Sequence, residues 1–391
     1  MTGIASSNRV AIRQIKETTP GTTPDSPALK EVRWTSESLN YNSQNVSSSE
    51  IRSDRMTADL IQTQSSAGGD LGFELSFVDH EDFLIGALAG DAFSTPVAVA
   101  ATDIDAANAD NSFNSSTTDF TGENISVGQW IKVAGFTEEA NNGYFRVTSV
   151  AANKLIVAGA TLTTEAAGDS VTMVGTMLRN GTDLDFFTIQ KHLEDAQTPT
   201  FFNMYGASIN TMNLNVQVGQ PMSGSFGFLA YGMDVSESQI SGATTQTAVG
   251  NDVMNAVDNI TNVLIDDAAA STCFNSLSLS LANNLSQQYC IGQLASAGIT
   301  AGRFDLTGSI GLYFKDKTMY DRYKNSTSFS ISWRVQDADG NAYVFTLPSV
   351  KFESGELSAG GSDQAMMFNG NYRAIRDAAT NCMLQIDKFA A

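Results

Sequence analysis

Two segments of the chain share one pattern of apolar and polar positions. FELSFVDHEDF at 73–83 and IGLYFKDKTMY at 310–320 both alternate apolar and polar residues before an aspartate. The shared positions are Phe73, Leu75, Phe77 and Asp79 in the first segment and Ile310, Leu312, Phe314 and Asp316 in the second. A period of two predicts a half-buried strand, and an aspartate at its end favours the start of a helix. Each segment therefore predicts a strand that leads into a short helix.

The repetition continues on both sides of these segments. Upstream, alternating residues around Tyr41 and Leu279 predict matching strands, and each strand is followed by a long polar stretch. Downstream, residues 185–232 and 329–375 each predict a strand, a turn that begins with Asp-Ala, an aromatic strand and a closing strand. Each copy therefore predicts a small β-sandwich flanked by one helix.

The two copies differ in the connection that follows the helix. The second helix, near Tyr323, meets the next strand at Phe329 almost at once, whereas a long segment follows the first helix. Short alternating strands broken by Gly and Asn turns predict that this segment is an inserted all-β domain whose ends lie close together. We interpret its start, residues 94–112, as a tether. The predicted fold is mainly β, with a first sandwich at 1–93 and 178–235, an inserted domain at 94–177 and a second sandwich at 236–391.

Charge narrows the functional classes. The chain has 22 Lys and Arg residues against 42 Asp and Glu residues, a net charge of −20. No basic cluster could neutralise a row of phosphates, which argues against a DNA-binding regulator. The charge is compatible with a surface that lets nucleic acid pass without binding it, because a surface with few cations attracts phosphates only weakly. No apolar run reaches about 18 residues and the start lacks a signal peptide, so we expect cytoplasmic synthesis and no membrane partner.

No combination of residues predicts catalysis or a metal site. His80 and His192 are the only histidines, and no Ser or Cys nucleophile stands in a recognisable motif. The three cysteines are too irregularly spaced for a disulfide framework or a zinc site, and we interpret them as buried apolar residues. We therefore expect no enzyme activity, no cofactor and no metal.

Several predicted strands carry a polar face of neutral or acidic residues without Lys or Arg. In SLSLSLA at 276–282, for example, serines alternate with leucines. An ordinary solvated sandwich face is the alternative interpretation of this pattern. The residues assigned to these polar faces are Glu37, Glu74, Asn213, Asn215, Gln217, Ser276, Ser278 and Ser280.

The order of these features resembles the major tail tube proteins of long-tailed bacteriophages. The similarity covers nearly all of the chain outside the insertion, and no single motif carries it. It rests on the duplicated strand-helix units together with the N-terminal segment 8–41, SSEIRSDR at 48–55, YVFTLPSVKF at 343–352 and GGSDQAMMFNGNYRAIRD at 360–377.

The resemblance implies a fold and a task. Tail tube subunits are β-sandwiches with a flanking helix, and their rings stack into a hollow tube through which DNA and the tape-measure protein pass. The polar faces listed above then become candidates for the lumen, where an acidic, Lys-poor lining repels phosphate. The polar stretches 42–69 and 282–304 are expected to order on contact with the next ring, with Arg52, Asp54 and Arg55 as contact candidates. The insertion is expected to decorate the outer wall.

The duplication predicts the ring. Three chains with two sandwiches each supply the six positions that single-sandwich subunits fill, so we expect trimeric, pseudo-hexameric rings, with hexameric rings as the alternative. The implied location is the virion tail after assembly in the host cytoplasm, and the implied partners include the tail terminator and tail tip proteins. A secreted adhesin or carbohydrate-binding module, and a hydrolase on a β scaffold, remain alternatives from other classes.

Overall fold

The alternating pattern produces a mainly β chain whose first strand-helix unit lies where the sequence predicts it. A computed structural model of the chain describes residues 5–255, 260–359 and 361–391. The first elements are β1 (Val10–Lys16), β2 (Ala28–Glu31), β3 (Ser36–Glu37), β4 (Asn40–Ser47), β5 (Leu60–Glu74) and α1 (Glu81–Leu88). Phe73, Leu75 and Phe77 are all buried, as their period of two predicts.

Residues 97–179 form strands of their own. These are β6 (Val97–Ala101), β7 (Ile104–Ala107), β8 (Ser112–Ser115), β9 (Trp130–Ala134), β10 (Gly143–Ala151), β11 (Lys154–Ala158) and β12 (Val171–Arg179). A separate hydrophobic cluster made only of these residues fills the unit. The predicted tether is wrong, because Val97 and Ile104 are buried in that cluster. The ends do lie side by side, since the Ser94 N–H donates to the Met177 carbonyl at 2.7 Å.

The chain then completes the first half and builds the second. The first half adds β13 (Phe187–Leu193), β14 (Thr200–Gln217), β15 (Ser223–Ala230), β16 (Gly232–Ser236) and β17 (Thr244–Gln246). The second half contains β18 (Ile260–Ile265), β19 (Ala268–Ala269), β20 (Phe274–Ala282), β21 (Ser286–Gln288), β22 (Gly298–Thr300), β23 (Asp305–Tyr313), α2 (Thr318–Lys324), β24 (Phe329–Gln336), β25 (Ala342–Ser358), β26 (Met367–Ala374) and β27 (Gln385–Phe389). Each half thus carries one short helix between its strands.

Strands pair in the same order in the two halves. The first half runs β4, β5, β15, β14, β13, β1, and the second runs β20, β23, β26, β25, β24, β18. Phe73 pairs with Gly224 as Ile310 pairs with Gly370. Both glycines face an aromatic ring: an added Cβ would lie 2.6 Å from the Phe73 ring at Gly224 and 2.5 Å from the Phe352 ring at Gly370. The ring at Gly224 comes from β5 and the ring at Gly370 from β25, so the two halves share the pairing order while the details of packing differ.

The pairing also defines which residues are equivalent elsewhere. Ile209 in β14 and Val350 in β25 pair with equivalent positions of β15 and β26, so they match each other. At the first strand of each half, the match between Tyr41 and Leu279 that the sequence pattern predicted is wrong. Leu279 pairs with the position of β23 that matches the β5 partner of Glu37, so Leu279 corresponds to Glu37 and not to Tyr41.

A strand pair joins the two halves into one sheet. Residues 211–217 of β14 pair antiparallel with residues 276–282 of β20. The resulting sheet has eight strands in the order β4, β5, β15, β14, β20, β23, β26, β25. The long strands β14 and β25 bend at bulges and continue into a second layer, where they pair with β13 and β16 and with β24 and β27. One hydrophobic cluster spans both halves between these layers.

Candidate assembly surfaces

One face of the eight-stranded sheet is polar, and it collects most of the residues predicted from the alternation. A single row crosses six strands from Glu74 through Asn215, Ser278 and Ser309 to Asn371. The hydroxyl oxygens of Ser278 and Ser309 lie 2.7 Å apart along this row. The predicted residues that share this polar face are Glu74, Asn213, Asn215, Gln217, Ser276, Ser278 and Ser280.

Glu37 does not belong to the polar face. It pairs with Leu71, whose side chain is in the core, and its carboxylate lies 3.0 Å from the Lys191 ammonium of β13. Glu37 also accepts the Leu39 N–H at 3.0 Å. The assignment of Glu37 was wrong because Glu37 and Leu39 are two positions apart and therefore lie on the same side of the strand.

The polar face also carries two basic residues that the sequence analysis missed. Lys351 and Arg373 pair with each other across β25 and β26. Arg373 donates to Asp305 at 2.6 Å and also to Glu353, so carboxylates balance its charge. Alternation from the buried Tyr372 gives the signal that could have located Arg373, since neighbours in a strand face opposite sides.

The polar stretch 42–69 forms an arm. Its strands β4 and β5 pair from Asn40 with Gly68 to Ser47 with Leu60, so it is an ordered hairpin within the single chain. Arg52 donates to Asp54 of the same loop at 2.7 Å, and Arg55 follows with a left-handed backbone. The arm exposes several large apolar residues: Tyr41, Val46, Ile51, Met56, Leu60 and Ile61.

The second polar stretch, 282–304, is shorter and lies against the arm. Its strands β21 and β22 form a small hairpin, and the Ser65 N–H of the arm donates to the Leu294 carbonyl at 2.8 Å. Ile291 at its tip is fully exposed. The two stretches are therefore unequal in length and touch each other within one chain.

Where the two halves meet, the turn between β5 and α1 is buried against the second half. The Tyr343 hydroxyl donates to Glu81 at 2.8 Å and accepts the Val78 N–H at 3.0 Å. Lys388 forms an ion pair with the same Glu81 at 2.7 Å, and its ammonium lies 5.5 Å from the centre of the Phe77 ring. Val78 has a left-handed backbone with φ of 70°, which is rare for a β-branched residue. We call this contact the joined junction.

The insertion braces the joined junction from outside. Its strand β12 pairs with β27 of the second half. The Trp130 indole N–H donates to the Thr346 hydroxyl at 3.0 Å, and the Trp130 backbone N–H donates to the Asp387 carboxylate at 3.1 Å. Arg146 Nη1 donates to both carboxylate oxygens of Asp267, at 2.8 and 3.1 Å. Burial raises the pKa of Asp387 to about 7.

The histidines and cysteines were the other residues weighed in the sequence. His80 is buried beside Asp79 at 3.4 Å, and burial lowers its pKa. Cys382 is buried as expected, but Cys273 and Cys290 are exposed, so that part of the prediction was wrong. Within residues 5–255, 260–359 and 361–391, no group of His, Cys, Asp and Glu could hold a metal ion. None of the helices described there is long and apolar enough to span a membrane.

Comparison with known families identifies the chain. A family model described as phage tail tube protein matches residues 7–374. The chain belongs to this family. A comparison with curated proteins finds no match. Membership makes this a structural protein of a bacteriophage tail, one that self-assembles into the tail tube, and it agrees with the resemblance seen in the sequence.

Proposed function

We propose that three copies of this tail tube protein close a pseudo-hexameric ring, and that the rings stack into the conduit for genome delivery. The observation that carries the proposal is the β14–β20 pair, which joins the two halves edge to edge. The equivalents of these two edges are the end of β25 and the strand β3. Among the described residues, 354–358 of β25 pair only with β26, and β3 pairs only with β5. The open edges therefore fit each other as β14 fits β20.

The β14–β20 pair also predicts a register for the contact between chains. Asn215 pairs with Ser278, and their equivalents are Glu356 and Ser36. Glu356 of one chain is therefore expected opposite Ser36 of the next. Repeating one junction geometry six times closes a ring of three chains, because each chain already contains one such junction.

We place the polar face of the sheet toward the lumen. Small neutral side chains dominate it, and its carboxylates, among them Asp70, Glu74 and Glu356, outnumber Lys351 and Arg373. A lining of this kind repels the phosphates of DNA and presents few cations for them to bind. The tape-measure protein would occupy the same channel before DNA passes.

Ring stacking is assigned to the two ends of the sheet. The arm extends from one end, and its exposed apolar residues need a partner surface. At the other end, where β14, β23 and β25 finish, Val218, Tyr313 and Leu357 are exposed. Contact between opposite ends of identical subunits is head-to-tail and propagates without closing, as a tube requires. Arg52, Asp54 and Arg55 lie at the tip of the arm and remain our candidates for contacts between rings.

The other parts of the chain have proposed places outside the lumen. We assign the insertion to the outer wall, as a decoration that also braces the joined junction. The tail terminator and tail tip proteins are the expected partners at the two ends of the tube. The location is the virion tail, and the protein is not an enzyme.

Electron microscopy of the purified protein tests the proposal. We expect tubes with three outer knobs per ring, one for each insertion. Six knobs around one ring would mean six chains per ring, and the absence of rings under all assembly conditions would reject the function. A variant with 43–66 replaced by a tight turn should form rings that do not stack. Normal tubes from that variant would reject the role of the arm.

A further inference from the structure

The polar face of the sheet has a hollow in its second half. The hollow has a volume of about 400 Å³, and Gly311, which has no side chain, forms part of its floor. One row of paired residues crosses it from Ser276 through Gly311 and Asn369 to Glu356. A Cβ added at Gly311 would lie 2.7 Å from the Ser276 Oγ and 3.2 Å from the Asn369 Oδ1. Two side-chain oxygens therefore lie over the point where a side chain is missing.

The equivalent position of the first half carries a carboxylate. Gly311 pairs with Asn369 as Glu74 pairs with Ser223, so Gly311 corresponds to Glu74. The second half has its carboxylate two strands away in the same row, at Glu356. Each half therefore places one acidic residue in this row, but only the second half has a glycine beside it.

The groups around the hollow accept hydrogen bonds and carry a negative charge. Glu356 is exposed and lines the hollow. Within the described part of the chain no Lys or Arg forms an ion pair with Glu356, and Arg373 of the same face is held by Asp305 and Glu353. A carboxylate can only accept hydrogen bonds, and serine and asparagine oxygens can accept them as well. This combination suits an ammonium or guanidinium group and repels a phosphate.

We propose that the hollow binds the cationic head of a Lys or Arg side chain, carried by a basic segment of the polypeptide that occupies the channel before DNA. The inference rests on the proposed function, because the polar face has to line the lumen. The β25–β3 contact leaves the hollow open, since strand pairing uses the backbone and the Glu356 side chain stays on the polar face. Each ring of three chains then presents three such sites, which hold a basic polypeptide and repel the DNA that follows it.

The test measures binding of an alanine-rich peptide with one lysine per helical turn to the dilute full-length subunit at low ionic strength. Glu356→Gln should weaken binding about fivefold, the size expected of one ion pair near a protein surface. Glu74→Gln is the matched control, because it removes the same charge from the same face, and it should change binding by less than about twofold. Equal losses in the two variants would mean general attraction to an acidic surface and would overturn the inference.

A second variant tests the shape of the site without changing its charge. Gly311→Thr fills the floor of the hollow, and the Ser276 hydroxyl, the nearest contact of the new Cβ, can rotate away. This variant should weaken binding of the lysine peptide about as much as Glu356→Gln, while its thermal unfolding shows that the fold is kept. Full binding by a folded Gly311→Thr subunit would show that the hollow is not the site.

Two further measurements identify the occupant. Spermidine carries the same ammonium groups, so tighter binding of spermidine than of the lysine peptide would assign the hollow to free polyamines and reject the polypeptide. In assembled tubes, electron microscopy should show the bound peptide within the lumen. Peptide on the outer wall would overturn the proposed orientation of the polar face, and with it this occupant, whereas the subunit measurements decide separately whether the hollow binds cations.

Discussion

β16 and β27 are the closing strands of the two halves, and in both of them the burial of a side chain runs against its polarity. In β27, the polar residues Gln385 and Asp387 are buried, whereas in β16 the apolar Val235 is exposed. The difference comes from the neighbours: β27 lies between β25 and the insertion strand β12, and β16 pairs only with β14 among the described residues. Local composition did not decide which strand is covered. Burial in each strand is therefore decided by the segments that lie beside it in the fold.

The largest expected effect comes from removing the insertion, which covers β27. Replacing 94–177 with a short linker from Phe93 to Leu178 should be sterically possible, because Ser94 and Met177 lie side by side. The replacement uncovers Val344 and Phe389, which pack against Trp130. At about 1.5–3 kcal/mol for each side chain, we expect the free energy of unfolding to fall by about 3–6 kcal/mol. Urea unfolding of the monomer measures this.

Assembly of the same variant gives the second half of that test. The open edges at β3 and β25 lie outside the replaced segment, so rings should still form, with no outer knobs. Unchanged stability would show that the insertion does not brace the joined junction. Loss of rings by a variant that remains folded would show that the insertion takes part in the contacts between chains.

The second prediction compares an aromatic side chain that is buried at the joined junction with one in β14 that is only partly buried. Tyr343→Ala removes a fully buried side chain, leaves the Val78 N–H without its hydrogen-bond partner and leaves Glu81 with Lys388 alone. We expect a loss of about 3–5 kcal/mol in the free energy of unfolding. Phe202→Ala should cost about 1–2 kcal/mol in the monomer, because that side chain is only partly buried. Equal losses in the two variants would contradict this difference in burial.

Sequence alone predicted the elements that depend on alternation. The strand-helix units, the hairpin turn after β24 and the short strands within 97–179 all follow from period-two patterns and turn residues that act locally. Seven of the eight polar-face residues share one face of the sheet for the same reason. Glu37 was placed on the wrong face although the sequence held the information, because Glu37 and Leu39 are two positions apart in one strand and face the same side.

What the sequence could not predict depends on contacts between distant segments. The tether at 94–112 looked polar and Ala-rich, yet its few apolar residues alternate into a core completed by β9 and β12. Likewise, nothing near Asp387 indicates burial, because the covering strand comes from about two hundred residues earlier in the chain. Alignment at Tyr41 failed because identical periods cannot specify register.

The smallest effect we predict, measured as the change in the free energy of unfolding for each pH unit, is a pH dependence of the joined junction carried by Asp387. Its carboxylate is fully buried, accepts hydrogen bonds from Trp130 and from Gln385 at 2.7 Å, and has a pKa of about 7 because burial disfavours its charged form. Arg179 and Arg146 act in the opposite direction and lower this pKa.

Since the folded pKa of Asp387 lies above the unfolded value near 4, the folded state holds a proton that the unfolded state releases. Stability from this group is therefore complete below about pH 4 and is lost as the pH rises to about 7, by at most about 1.4 kcal/mol per pH unit. Asp387→Asn should flatten this slope in urea unfolding between pH 4 and 8, whereas Asp234→Asn, at an exposed aspartate of β16, serves as the control. Identical slopes for wild type and Asp387→Asn would show that Asp387 keeps its charge in the folded chain.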